Sequence, residues 1–328
     1  MSGAAQETSL SDTGQTEKPS LFSDIRQRLF NLPTLLCAAT ILAALAPGRM
    51  ATRTKMYSPS AFIAATAFAW AFFQAKFSKK DERQAAKDVG SIVLGFLALW
   101  EAVTSKLDLL PFVFVPAPEN VFFVYIKDYR LILSGFLRSL FLLLSGFGAS
   151  LLAGISLGIA VGWTLRLRKA IFPIAKAIST VPAMIYGPYL VVMMPTFTSA
   201  SIFVIFCGTF WSLFMNMINR VGTIDQRIVN TARILNVKTR VMLFSVILPY
   251  TLPRILNELT VSLSISVMTL TVAEMIGADR GMGFYVKRSL DYANYTQAFA
   301  GIFFIAVVIT LLNTFISLLK KKLVKWSY

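Results

Sequence analysis

The chain has 328 residues, 56% of them hydrophobic, with a mean hydropathy of +0.65 and a formal net charge of +16. That is too apolar for a soluble domain of this length, and a basic excess gathered in short segments between apolar runs, with no recognition motif, argues against nucleic-acid binding. There is no histidine, and the two cysteines, Cys37 and Cys207, both lie in apolar runs, which excludes His-ligated metal sites, His-based triads and a histidine proton relay and suggests no disulfide or metal centre.

Residues 1–30, opening MSGAAQETSLSDTGQTEKPS, are polar and lack the apolar h-region of a signal peptide, so they read as a disordered cytoplasmic tail. Apolar segments follow near 33–47, 58–77, 89–110, 131–163, 171–194, 200–219, 248–275 and 297–319. Several exceed the roughly 20 residues needed to cross a hydrocarbon core of about 30 Å. Alternating strands are absent, so a barrel is not expected. The fold class is therefore an all-α polytopic membrane protein. The first segment is marginal in length and reads either as a short span or as an interfacial helix; with 58–77 it makes an N-terminal hydrophobic hairpin over 31–87. The segment 131–163 is longer than one crossing, and its first part, with Arg130 and Arg138, is expected at the interface.

Gly146, Ser150, Gly154, Gly158 and Gly162 recur every four residues on one helix. Small residues at this spacing let backbones approach closely, either within the chain or between subunits. Lys and Arg set the orientation. The segments 76–87, 164–170, 220–247 and 320–328 carry five, three, five and four; those of the opposite parity, 48–57, 106–130, 195–199 and 276–295, carry three, three, none and three. The first set, and both termini, are expected on the cytoplasmic side.

Between two apolar runs lies GTIDQRIVNTARILNVKTRVMLFSVILP, 222–249. Ile224, Ile228, Ala232 and Leu235 fall on one helical face, with Arg227, Arg233 and Lys238 elsewhere. Asp225 is placed as an N-cap or first-turn acid, and Asn236, which tolerates the left-handed region, as the stop. A second piece then climbs to Leu248-Pro249, and Pro249 and Pro253 bend the chain into the next span. The expected result is a basic helix–turn–helix knuckle in which small Ala232 permits close docking into another protein.

This spacing resembles the EAA loop of binding-protein-dependent ABC importer permeases: E-A-A, three residues, G, nine residues, I-x-L-P. Here Asn230, Thr231 and Ala232 stand at E-A-A, Asn236 at the glycine, and Val246 to Pro249 at the end. The spacing agrees throughout; Asn replaces Glu, Thr the first Ala and Asn the Gly. TVAEMIGADRGMGFYVKRSL (271–290) is similar to the A-E-M-x-G-A…G-x-G segment of the nitrate/sulfonate/taurine branch, as are FVPAPENVF (114–122), the SL of FLRSLFLLL (136–144), GISLGIAVG (154–162) and STVPAMIYGPYLVV (179–192). The resemblance covers roughly 88–328; residues 1–87 have no recognised counterpart.

It implies a type I ABC importer transmembrane domain of about six core spans, with 31–87 accessory. It further implies a pore made with a second permease copy, like or unlike, a cytoplasmic ABC ATPase dimer that holds the ATP and Mg, and an extracytoplasmic solute-binding protein. The coupling residues would be Asp225, Asn230, Thr231, Ala232, Arg233, Asn236, Lys238, Leu248 and Pro249. Pore or gate candidates are Met184, Tyr186, Met193, Trp211, Met215, Glu274, Gly281 and Gly283. The sequence has no G-x-x-x-x-G-K-[ST] loop and no catalytic or metal constellation, so the chain is expected to bind no cofactor itself. Of the charges in or near spans, Lys176 and Arg138 are read as snorkelling or headgroup contacts or as functional, and Arg254 and Glu258, four apart, as a possible pair. The alternatives are a secondary carrier driven by an ion gradient, for which few acidic relays are present, a non-transport scaffold or enzyme, and a divergent heteromeric partner permease.

Overall fold

The computed structural model describes residues 31–48, 57–76, 83–111 and 113–323, and every structural statement concerns these. The tail 1–30, most of 48–57, residues 77–82 and the end of the basic tail from 324 lie outside them, with the expectations that rest there. Among the described residues all regular structure is helical.

Packing divides the chain into two units, one reaching Leu110 and including Ala117–Glu119, the other made of Pro111–Pro116 and Asn120 onward. In the first, α1 (Leu32–Leu45) packs with α2 (Ser60–Lys76), and both pack with α3 (Arg83–Glu101). Asn31 caps α1 by accepting from Thr34 N at 3.0 Å. Trp70 Nε1 and Gln74 Nε2, near the end of α2, donate to Thr34 Oγ1 at 3.0 and 2.9 Å, so the two helices form a hairpin. α1 has 14 residues, short of a full crossing. The helix α3 runs on through a π-helical turn, Ala102–Lys106. There Lys106 Nζ stands 3.1 Å from the buried Glu101 carboxylate and donates to Ala46 O at 2.7 Å, and Ser105 Oγ donates to buried Glu119 at 2.9 Å. The division near residue 110 differs from the boundary at 87 read from the sequence. The helix expected to open the core packs with both helices of the hairpin, and Leu94, Leu97 and Trp100 on it are buried.

The second unit contains α4 (Pro118–Lys127) from Asn120 onward, α5 (Tyr129–Trp163), α6 (Leu165–Ser179), α7 (Ala183–Met193), α8 (Phe197–Gly222), α9 (Gln226–Ile234), α10 (Thr239–Gly277), α11 (Met282–Asp291) and α12 (Tyr295–Leu323). α5 is one unbroken helix of 35 residues, so its interfacial start and its span are continuous. The single span expected at 171–194 is broken: α6 and α7 meet at 86°. Pro182 lacks an N–H and biases Val181 away from the helical region, which ends α6 there. Counting that pair as one crossing, six segments among the described residues are long and apolar enough to span, five in this unit and one, Gln84–Lys106, in the first.

The close-packed seam of this unit is α5 on α8. A Cβ at Gly158 would overlap Met217 Cβ; one at Gly146 or Gly162 would come within 2.8 Å of Ile205 Cβ or Val221 Cβ. Thr209 Oγ1 donates to Ser150 Oγ at 2.6 Å in the same row. The four-residue ladder thus packs within the chain, while Gly148, on the other face of α5, has nothing near its would-be Cβ.

Candidate functional site

Two constructions stand at opposite ends of α10. At its start, Asp225 Oδ1 accepts from Arg227 N at 2.9 Å and caps α9, a helix of nine residues. Asn236 has φ +51°, and Val237 N returns to Ala232 O at 3.0 Å, a six-to-one bond that closes the helix end. α10 then begins at Thr239 and passes through a π-helical stretch, Met242–Ile247, immediately before Leu248 and Pro249. Pro249 and Pro253 cannot donate to residues 245 and 249, and the helix accommodates this by respacing its bonds and running on to Gly277.

The knuckle's inner face is Ile224, Ile228, Val229, Ala232 and Val237, packed with Ile159 of α5, Met217 and Val221 of α8, and Met242, Ile247 and Ile255 of α10; Leu248 joins the same cluster. Ala232 is half-buried at the edge of this inner face, part of its small surface remaining open. Leu235, read on the same helical face, lies one residue past the end of α9 at Ile234 and is 70% exposed. The outward face holds Asn230, Thr231, Ile234, Leu235 and Lys238, with Ile234 80% exposed; the Arg233 side chain lies outside the description. Beside the knuckle, Glu258 pairs not with Arg254, which is exposed, but with Arg220 of α8, and it also accepts from Asn216 Nδ2 at 3.3 Å.

At the other end of α10, Glu274 is 1% exposed. One carboxylate oxygen accepts from Ser139 Oγ of α5, the other from Gly283 N at 2.7 Å. Ser139 Oγ in turn accepts from Met282 N at 2.9 Å. These are first-turn N–H groups of α11, whose N-cap is Gly281 and has no side chain to satisfy them. A carboxylate from a different helix therefore caps α11. Gly281 has φ +145° and ψ 172°, and a Cβ there would overlap the Glu274 carboxyl; Gly135 of α5 closes the back, its would-be Cβ 3.1 Å from Gly281 O. One helical step away, Arg138 is half-buried and donates to Thr198 Oγ1. α11 is held further along by Tyr285 Oη and Gln297 Nε2, each donating to Asp128 Oδ2 at 2.9 Å. Burial first, then the Asp128 carboxylate, pushes the Tyr285 phenol far above its usual range, so the hydroxyl stays a donor.

Glu274, Gly281 and Gly283 are thus brought together. The remaining gate candidates fall in two places. Met184 and Met193 are exposed on α7, with Tyr186 half-buried. Trp211 and Met215 pack with Ala175, Phe210 and Phe214 between α6 and α8, where Ser179 Oγ donates to Met215 Sδ at 3.6 Å. Lys176 is exposed on α6. Ser139 and Asp128 were not singled out from the sequence; their partners lie 135 to 169 residues away, and the only signal was the Ser-Leu pair at 139–140. Among the described residues no group of three His, Cys, Asp or Glu side chains gathers to hold a metal.

Against this geometry, residues 150–326 match the pattern of a family described as the binding-protein-dependent transport system inner membrane component. An aliphatic sulfonates transport permease protein of Bacillus subtilis, SsuC, so described, is 30% identical over 237 residues, 70% of this chain and 84% of that protein. The taurine transport system permease protein TauC of Escherichia coli is 28% identical over 74% of this chain and 90% of its own length. The nitrate import permease protein NrtB of Leptolyngbya laminosa is 28% identical over 55% of this chain and 64% of its own length.

Proposed function

This chain belongs to the family of binding-protein-dependent transport system inner membrane components, in its nitrate/sulfonate/taurine branch, and from that premise we propose that it forms the pore of an ATP-driven importer and couples to a separate ATPase through α9. It is a multi-pass inner-membrane permease subunit of the ABC importer class. The proposed cargo is a small solute of the anion, sulfonate or vitamin-precursor class, moved inward by alternating access; the relatives' names support the first two. The proposed assembly is two permeases, alike or unlike, an ATPase dimer that carries ATP and Mg, and a solute-binding protein on the other face. Both termini are then cytoplasmic, as the Lys and Arg distribution supports.

The observation that carries the reading is the two-faced knuckle. Its inner side is continuous with the core cluster of α5, α8 and α10, so a push on α9 moves packed helices rather than a loose loop. Its outer side leaves Ile234 and Leu235 bare beside polar Asn230 and Thr231, a surface that suits a protein groove. Transport requires two global states biased by the partner's nucleotide state. Met184, Tyr186 and Met193 on α7, and Trp211 and Met215 on α8, are the proposed cargo-facing side chains, and the Glu274 loop is the proposed outer gate.

The test is co-purification of the ATPase with Ile234→Glu/Leu235→Glu. Both side chains are exposed, so thermal unfolding of the permease should be unchanged while the ATPase recovered falls about tenfold or more. Full recovery of the ATPase would overturn the coupling reading. Ala232→Glu is the weaker probe, because it also introduces a charge into the chain's own packed face.

A further inference from the structure

The joint where α6 packs on the end of α8 carries an arginine with no acidic partner. Arg168 is half-buried, and among the described residues its side chain makes no hydrogen bond or ion pair. Its guanidinium lies over Gly222, so closely that a Cβ on that glycine would overlap it. Two cavities of about 320 Å³ each open on either side and share Arg168 and Gly222. One is lined by Lys169, Phe172, Pro173, Asn219 and Thr223, the other by Trp163, Leu165, Gln226 and Val229 among others; no acid lines either. The nearby acids are engaged elsewhere: Glu258 with Arg220, and Asp225 as the cap of α9.

We propose that this joint is a binding site for the phosphate group of an anionic membrane lipid. A guanidinium presents a planar fork of donors that matches phosphate oxygens, and with Lys169 beside it the pocket offers two positive charges and the side-chain amide of Asn219, while Thr223 Oγ1 donates to Arg220 O at 3.3 Å and only lines the wall. The second half of the argument is apolar. Phe172 and Pro173 line the same cavity, and Ile174 is exposed on α6 next to them. α6 is part of a bent spanning pair, so this strip continues toward the hydrocarbon region and suits an acyl chain. Charge at one end and an apolar track at the other fit an amphiphile better than a free ion, and basic pockets between spanning helices are where anionic headgroups are held. A headgroup seated there bridges α6 to the α8–α9 junction, one turn before the knuckle, and steadies it. The inference does not depend on the ATPase reading.

The experiment is native mass spectrometry and thermal unfolding of the full-length chain, released from bilayers of phosphatidylcholine alone or doped with phosphatidylglycerol. The wild type should retain one phosphatidylglycerol per chain and unfold at a higher temperature with that lipid than without it. Arg168→Gln should lower retention about tenfold and abolish the thermal shift. Gly222→Ala should do the same by displacing only the end of a flexible side chain, and Arg254→Gln, an exposed arginine on another helix, should change nothing. Both variants should unfold like the wild type in phosphatidylcholine, which separates lost binding from lost folding. Equal retention by wild type and Arg168→Gln, or phosphatidylcholine held as well as phosphatidylglycerol, would overturn the proposal. So would inorganic phosphate that stabilises the wild type through Arg168 while no phosphatidylglycerol is retained, since the ligand would then be a soluble anion.

Discussion

At Gly277 the helix α10 ends beside a buried carboxylate whose two oxygens are both bonded, one to Ser139 and one to the first turn of α11. At Thr239 it begins in a π-helical stretch beside two prolines, attached to a knuckle whose outer side is bare. The same helix is therefore clamped at one end and adaptable at the other. A fully bonded buried polar cluster permits little motion without breaking several bonds at once, because each group left unpaired costs about 1–3 kcal/mol. A π stretch interrupts the regular i→i−4 ladder and is found mostly at functional sites. The difference suits a lever that is held at the Glu274 end and moved at the α9 end.

The clamp is where substitution should have the largest effect on stability. Gly281 occupies backbone space available almost only to glycine, and a Cβ there also meets the Glu274 carboxyl. Gly281→Ala should lower stability by about 3 kcal/mol or more, read as a fall in the thermal unfolding temperature of the purified protein. An unchanged temperature would mean that the loop is not locked. Glu274→Gln is next: its carbonyl can keep Gly283 N, but its amide then faces Ser139 Oγ, whose own hydrogen loses its buried acceptor, for about 1–3 kcal/mol. Hydrogen exchange should rise in the first turn of α11 and leave α9 unaffected; equal protection in both proteins would remove the carboxylate from its capping role.

The adaptable end offers smaller effects. Asn236→Ala should cost about 1 kcal/mol, because Ala is disfavoured at φ +51°, whereas Asn236→Gly should cost little or nothing. If the two variants are equally stable, the left-handed residue is not what closes α9.

Which parts of this contrast were legible in the sequence follows from the distance between partners. The cap of Asp225 and the turn at Asn236 depend on neighbours a few residues away, and both are found where the residue types point. The periodic face of the knuckle was legible only as far as the helix lasts: Leu235, read on the face of Ile224, Ile228 and Ala232, lies just past the end of α9 and is exposed. The glycine ladder announced close packing but not its partner, since the spacing is the same whether the facing helix is α8 or another subunit. α3 is apolar like its neighbours, and composition did not show that it packs with the hairpin helices. The clamp was hardest to see: Glu274 stood out as a charge near a span end, but Ser139, 135 residues earlier, is an ordinary small residue until the fold puts it there.

The smallest expected effects test the charge pairing beside the knuckle. Helical spacing alone made Arg254 a fitting partner for Glu258, yet the carboxylate turns to Arg220 on α8 and leaves Arg254 in the open. The Arg220–Glu258 pair is partly exposed, with side chains 16% and 34% accessible, so solvent weakens it well below the cost of breaking a fully buried pair. Arg220→Gln should therefore cost about 1 kcal/mol, with Asn216 still available to the carboxylate. Arg254→Gln should stay within about 0.5 kcal/mol of the wild type. Thermal unfolding of the two single variants and the double variant measures this directly, and independent contributions should add. A larger loss from Arg254→Gln than from Arg220→Gln would return the pair to a single helix and remove this link between α8 and α10 beneath the knuckle.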